Sequence, residues 1–391
     1  MNKLFSFGLV LLNILLATGC APRAHGQKPL PAANRMDEYL PLLKNKRVAL
    51  VVNHTSLVDK THLADTLLSR GVTIVKIFAP EHGFRGTADA GETIRNDVDV
   101  ITGLPIVSLY GKNKKPLPEQ LKDVDLIIFD IQDIGVRFFT YISTMHYVME
   151  AAAENDKEVL ILDRPNPNGN YVDGPVLEEK QKSFVGMHSI PIVHGLTVGE
   201  LARMINGEKW LAGGRQAKLQ VIKAPDYTHK DSYSLPVKPS PNMPNDLAIA
   251  LYPSICLFEG TMISLGRGTM FPFQVIGYPD KVYGDFSFTP VSIDGMAKNP
   301  PLENKVCYGM DLRGLPITRA FTLSYLIDFY QKTSDKSAYF NSFFSKLAGN
   351  EKLREQIQKG LSEEEIKKSW QADLNKYKEI RKKYLLYPDF E

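Results

Sequence analysis

The sequence predicts an α/β protein: a Rossmann-like, doubly wound, mostly parallel sheet followed by a smaller C-terminal α+β auxiliary domain. Two observations carry this. Five short apolar runs are nearly uninterrupted, as strands buried on both faces require. Helical stretches separate several of them, as parallel crossovers require.

The runs are "RVALVVN" (47–53), "VTIVKIFA" (72–79), "LPIVSLYG" (104–111), "DLIIFDI" (125–131) and "EVLILD" (158–163). Between them, a helical stretch is expected around 60–70 and another over "TMHYVMEAAAEN" (144–155). "TVGELARMING" (197–207) continues the pattern, with Thr197 as expected N-cap and Gly207 as expected C-cap. Near residue 270 the character changes to short strand candidates, "FQVIGY", "FSFTPVSI" and "NKVCYGMDL", then a helix near 318–332. The expected division is a catalytic domain over 46–270 and an auxiliary domain over 271–391. The Lys- and Glu-rich stretch over 351–384 reads as solvated helix.

The chain has 391 residues, 43% hydrophobic and 23% charged, and a net charge of +3. Its basic residues are scattered, so no nucleic-acid partner is expected. Lys3, an apolar stretch from Leu4 to Leu16 and Ala17-Thr18-Gly19-Cys20 form a secretory signal over 1–20. The small residues before Cys20 resemble a bacterial lipoprotein signal, which implies lipidation of Cys20 and a membrane anchor facing the periplasm or cell exterior. Residues 21–45 read as tether and lead-in. Cys256 and Cys307 are then the remaining cysteines, too few for a disulfide scaffold, and are expected as buried thiols.

Open parallel sheets bind ligands beyond the carboxyl ends of their strands. Polar residues gather at four such ends: Asn53 and His54; Glu81, His82 and Arg85; Asp130, Gln132 and Arg137; Asp163, Arg164 and Asn166. Taken singly, each has a structural reading as a cap or a satisfied core residue; together they form a candidate site. Glu81 follows a proline, stands between Phe78 and Phe84, and is followed by glycines that admit a ligand. An apolar wall disfavours a carboxylate's charge, which suits a general acid. A second polar block carries Glu259, Thr261, Ser264 and Arg267 among glycines, as a loop over the cleft would. Arginine forks at Arg85, Arg137, Arg164 and Arg267 suit an anionic substrate, although some will pair with Asp130 or Asp163.

No G-x-G-x-x-G follows the first run, and P-loop, H-E-x-x-H and G-x-S-x-G signatures are absent, so no cofactor is expected. His54, His82, His188 and His194 with Asp130 match no metal-ligand spacing, and no metal is expected.

"APEHGFRG", "DIQDIGVRFFTY", "DRPNP", "PSPNMP" and "FEGTMISLGRGTMFPF", in this order, resemble the YbbC/NamZ-type exo-β-N-acetylmuramidases from about residue 46 to the C-terminus. "TMF" (269–271) departs from the pattern, which places an acidic residue after the threonine. The resemblance implies a peptidoglycan-recycling glycosidase that releases N-acetylmuramic acid (MurNAc) from the non-reducing end of muro-saccharides such as MurNAc–GlcNAc. It implies a cleft between two domains, and a catalytic glutamate that carries over onto Glu81. Tyr141, His194, Asn242, Thr261 and Arg267 join the residues above as implied substrate ligands, with the lactyl carboxylate as the anion. Asp130 and Glu259 are candidates for a second carboxylate; a substrate-assisted route would use Asp130 to orient the 2-acetamido group. A wall-binding lipoprotein without catalysis and a metal-dependent hydrolase are the competing readings.

Overall fold

The computed structural model describes residues 28–85 and 97–391; the expected signal, Cys20 and Gly86 lie outside the described residues. Seven strands form the main sheet: β1 (Val48–Val52), β2 (Ile74–Ala79), β3 (Asp97–Val98), β4 (Pro105–Ser108), β5 (Leu126–Asp130), β6 (Glu158–Leu162) and β7 (Lys218–Ile222). Their order is β3-β4-β2-β1-β5-β6-β7, parallel except for the edge pair β3–β4. The chain winds outward from β1 to β2 and β4, then returns to the other side of β1 at β5. This reversal is a topological switch point, and it puts the carboxyl ends of β1, β2 and β5 around one crevice.

The two faces of β1 explain its uninterrupted apolar run. Ala49 and Val51 enter one core with Phe129 and helices Tyr141–Glu154 and Val198–Gly207. Val48, Leu50 and Val52 enter the other with Leu63 and Leu67 of helix Leu63–Ser69. Each fully buried aliphatic side chain contributes roughly 1.5–3 kcal/mol. Strands β3 and β7 had no counterpart among the expected runs; β7 is an edge strand in which exposed Lys218 and Gln220 interrupt the apolar residues. Thr197 caps its helix through a reciprocal box with Glu200, but the C-cap is Glu208, one residue beyond Gly207.

A small antiparallel sheet follows, with β8 (Val275–Tyr278) and β9 (Phe286–Phe288) flanking β10 (Cys307–Asp311). Cys256 and Cys307 are buried free thiols. The C-terminal helices correct the expectation of a solvated stretch. Leu353, Ile357, Ile366, Trp370, Leu374 and Tyr377 enter the first core. Tyr377 donates to His194 O at 2.6 Å, and Tyr387 donates to Asp163 at 2.7 Å. Within the lead-in, Ala32, Ala33, Tyr39 and Leu43 are buried against the second face of the sheet. No helix among the described residues is long and apolar enough to cross a membrane.

Candidate active site

Strand β2 stops at Ala79 because Pro80 cannot extend the ladder. The chain turns over Pro80–Gly83, closed by Gly83 N–H to Pro80 O at 3.0 Å, with His82 at φ +68° and Gly83 at φ +78°. A left-handed histidine is costly unless its surroundings hold it. Two residues on, Phe84 anchors the chain: it is buried in the second core and meets His62 edge-on at 4.7 Å. Glu81 is left half-buried at the front. Its Oε2 accepts from Thr140 Oγ1 at 2.9 Å, and Thr140 precedes the helix beginning at Tyr141 without a side-chain capping bond. Tyr110, just past β4, also hydrogen-bonds the carboxylate; burial first, then the Glu81 charge, raise its pKa, so the phenol is a donor.

Two cavities meet here. The inner one, about 160 Å³, is walled by Tyr110, Phe138, Tyr141, Phe184 and Tyr252, with His82 and Asn242 among its polar lining. The outer one, about 610 Å³, is walled by Phe258, Leu265, Met296, Pro300 and Phe343, with Thr261 and Lys298. Glu81, Glu259 and Arg267 line both. Arg267 grips Glu259 Oε1 through Nε at 3.1 Å and an Nη at 2.6 Å, and lies over the Phe273 ring. Burial opposes the charge on Arg267, but Glu259 more than offsets it. Two carboxyl groups, one guanidinium and an aromatic wall therefore share one boundary.

The other sequence-predicted residues sit behind this boundary and are occupied with one another. Asp130, fully buried, takes a bidentate grip from Arg164 at 2.6 and 2.9 Å, and Ser56 Oγ donates to its carbonyl. It lines neither cavity, and the structure does not bring it together with Glu81 and Glu259. Asp163 accepts from Thr197 Oγ1, Gly199 N, Arg164 N and Tyr387 OH; burial pushes its pKa up to about 6. Asn166 bridges Leu196 O and Asn168 N and packs on Gly135, where a Cβ would lie 2.3 Å from its amide.

Arg137 is fully buried and donates to the carbonyls of Pro175, Ile190, Leu347 and Ala348, all at 2.7 to 2.8 Å, so it cannot clamp a substrate. Arg85 clamps Asp99 at 2.9 Å. His194 is fully buried, with its pKa pushed down to about 3 by burial; its Nε2 lies 3.8 Å from Asp133, whose pKa burial pushes up to about 7. Asn53 holds Thr55, Gln132 ties Asp133 O to Pro165 O, and His54 meets Lys238 O at 2.7 Å. None of these lines either cavity. The sequence-predicted residues that do are Glu81, His82, Tyr141, Asn242, Glu259, Thr261, Ser264 and Arg267. Among the described residues, no group of three or more His, Cys, Asp or Glu is arranged to hold a metal ion.

Two family models match the chain in succession: the N-terminal model of exo-β-N-acetylmuramidase NamZ over 48–247 and the C-terminal model over 250–387. The chain is 37% identical to peptidoglycan β-N-acetylmuramidase NamZ of Bacillus subtilis (strain 168), over 99% of this chain and all of that protein. The chain belongs to the NamZ family. Membership places it among the peptidoglycan glycosidases. Two crystal structures of DUF1343 family proteins from Bacteroides fragilis NCTC 9343 share the fold. One is 48% identical with a TM-score of 0.87, covering 93% of this chain and 100% of that one; the other is 29% identical with a TM-score of 0.80, covering 92% and 99%.

In this NamZ-family chain the partners of Glu81 escaped the sequence reading. Tyr110 stands at the carboxyl end of the third run and obeys the same strand-end rule that found Glu81. Thr140 lies inside "DIQDIGVRFFTY" but has an unremarkable residue type. Lys298 and Phe343 reach the outer cavity from irregular segments with no periodicity to mark them. Met270, at the departure in "TMF", is exposed and lines neither cavity.

Proposed function

We propose that the chain releases N-acetylmuramic acid from the non-reducing end of peptidoglycan fragments, with Glu81 as general acid. The observation that carries this is the position of Glu81 on the border of a small and a large cavity, held by Thr140 and Tyr110. The smaller cavity suits the single sugar an exo-enzyme removes; the larger suits the fragment left behind. Glu81 donates a proton to the glycosidic oxygen as its bond to the anomeric carbon breaks. Water supplies the hydroxyl that replaces it. Glu259, with Oε1 held by Arg267, is the second carboxylate facing the positive charge that develops on the sugar. Arg267 is the sole arginine or lysine among the described residues lining the inner cavity, which makes it the partner for the lactyl carboxylate.

The test is incubation of the mature chain with MurNAc–GlcNAc beside a Glu81→Gln variant. Free MurNAc from the first and none from the second supports the reading. No product from either leaves a wall-binding protein. We further propose export and membrane anchoring through Cys20, read from the small residues before it. Incorporation of labelled fatty acid into the wild-type chain, and its loss in Cys20→Ser, would support this; equal labelling would defeat it.

A further inference from the structure

We infer that Asn242 is a specificity residue that accepts one hydrogen bond from a donor group on the sugar in the inner cavity. This rests on the assignment of that cavity to the released sugar. Asn242 stands on the Pro-broken loop 239–244, where Met243 N–H closes a turn onto Ser240 O at 3.1 Å. Its Nδ2 donates to Met296 O at 2.7 Å. A carbonyl can only accept, so this contact fixes the amide orientation and makes the other atom the oxygen. That Oδ1 is buried, with no hydrogen-bond partner among the described residues, and the side chain, 2% exposed, lines the inner cavity.

Several of the cavity's other polar groups already have protein partners. Tyr141 OH donates to Pro239 O at 3.2 Å, Thr140 to Glu81, and Arg267 to Glu259. An acceptor left bare among Phe138, Tyr252 and Phe273 carries a desolvation penalty that a ligand donor removes. A site built around such an acceptor strongly rejects an analogue that lacks the donor. A terminal MurNAc offers three neutral donors: the 4-hydroxyl, the 6-hydroxyl and the acetamido N–H. The 4-hydroxyl exists only on a chain end, so its recognition would also enforce exo-action.

The experiment compares MurNAc–GlcNAc with its 4-deoxy, 6-deoxy and N-methylacetamido forms on the wild-type chain and on Asn242→Ala. The wild type loses roughly 10- to 100-fold in kcat/KM on one of the three analogues. Asn242→Ala falls by a similar factor on the parent and no longer distinguishes that analogue. A role confined to bracing Met296 would lower all four rates and leave the discrimination intact, which would overturn the inference. So would a wild type indifferent to all three deletions, a result that needs no variant to fold. A wild type inert even toward the parent defeats the functional reading itself, whereas activity without selectivity defeats this inference alone.

Discussion

The carboxylates Asp130 and Glu81 both stand at the carboxyl ends of parallel strands, both in polar clusters, and only one of them faces either cavity. Asp130 is sealed: Arg164 takes both its oxygens, and no exposed surface remains. Glu81 is half-buried and borders both cavities, with the hydroxyls of Thr140 and Tyr110 among its partners. The difference lies in exposure: one carboxylate is sealed in the interior and the other borders open space. A guanidinium in a dry interior locks a carboxylate as a structural ion, whereas a carboxylate on a cavity wall can meet a ligand. Polar residues at the ends of parallel strands therefore form two layers, an inner layer that fixes the loops and an outer layer that meets substrate.

Substitution should separate these layers cleanly. Glu81→Gln keeps the shape and the hydroxyl contacts, so it should lose about 10²–10⁴-fold in kcat, the usual range for one general acid, with the melting temperature nearly unchanged. Asp130→Ala should do the reverse. It strands a buried guanidinium, which costs about 3–5 kcal/mol of unfolding free energy, measured by chemical denaturation. A folded, fully stable Asp130→Ala that is catalytically dead would collapse the distinction and return Asp130 to the chemistry.

Five strands of the main sheet and the Glu81 turn were legible in the sequence, because continuous apolar runs and a proline before a polar turn follow from local rules. The loop with Glu259 and Arg267 was legible for the same reason. What stayed hidden was partnership. Arg164 and Arg267 look alike in sequence, each near an acid. Yet β6 pairs beside β5, and that adjacency brings Arg164 onto Asp130. Arg137 is the sharper case, since its carbonyl partners at 347 and 348 lie more than 200 residues away. The C-terminal helices were misread because a few apolar residues, such as Leu374 and Tyr377, are spaced among many lysines and glutamates, so the buried stripe is narrow.

Arg267 tests the outer layer at smaller amplitude. Losing a charged hydrogen bond to the lactyl carboxylate should raise KM roughly 10- to 100-fold in Arg267→Met. The same change should narrow the preference for a bare disaccharide over one whose lactyl group carries a stem peptide, because the peptide abolishes the anion that Arg267 binds. An unchanged preference would mean the anion is read elsewhere.

The smallest effect concerns a polar pair that belongs to neither layer. His188 is buried, stacks on Trp210 and meets His146 at 3.0 Å; burial first, then His146 and Lys182, lower its pKa well below 6.5. His146 is lowered as well, by burial, against the opposing pull of Glu150. A depressed histidine binds fewer protons folded than unfolded, so its stabilising effect is complete above its unfolded value of 6.5 and drains away as pH falls below it. Each such group costs up to about 1.4 kcal/mol per pH unit in that window. Urea unfolding between pH 7.5 and about 5 should therefore show stability flat at the top and declining below, with a shallower decline in His188→Gln. Since neither ring lines the two cavities, the same variant should leave the pH dependence of kcat in place. A shifted kcat profile with an unchanged stability slope would move this pair out of the scaffold and into the catalytic layer.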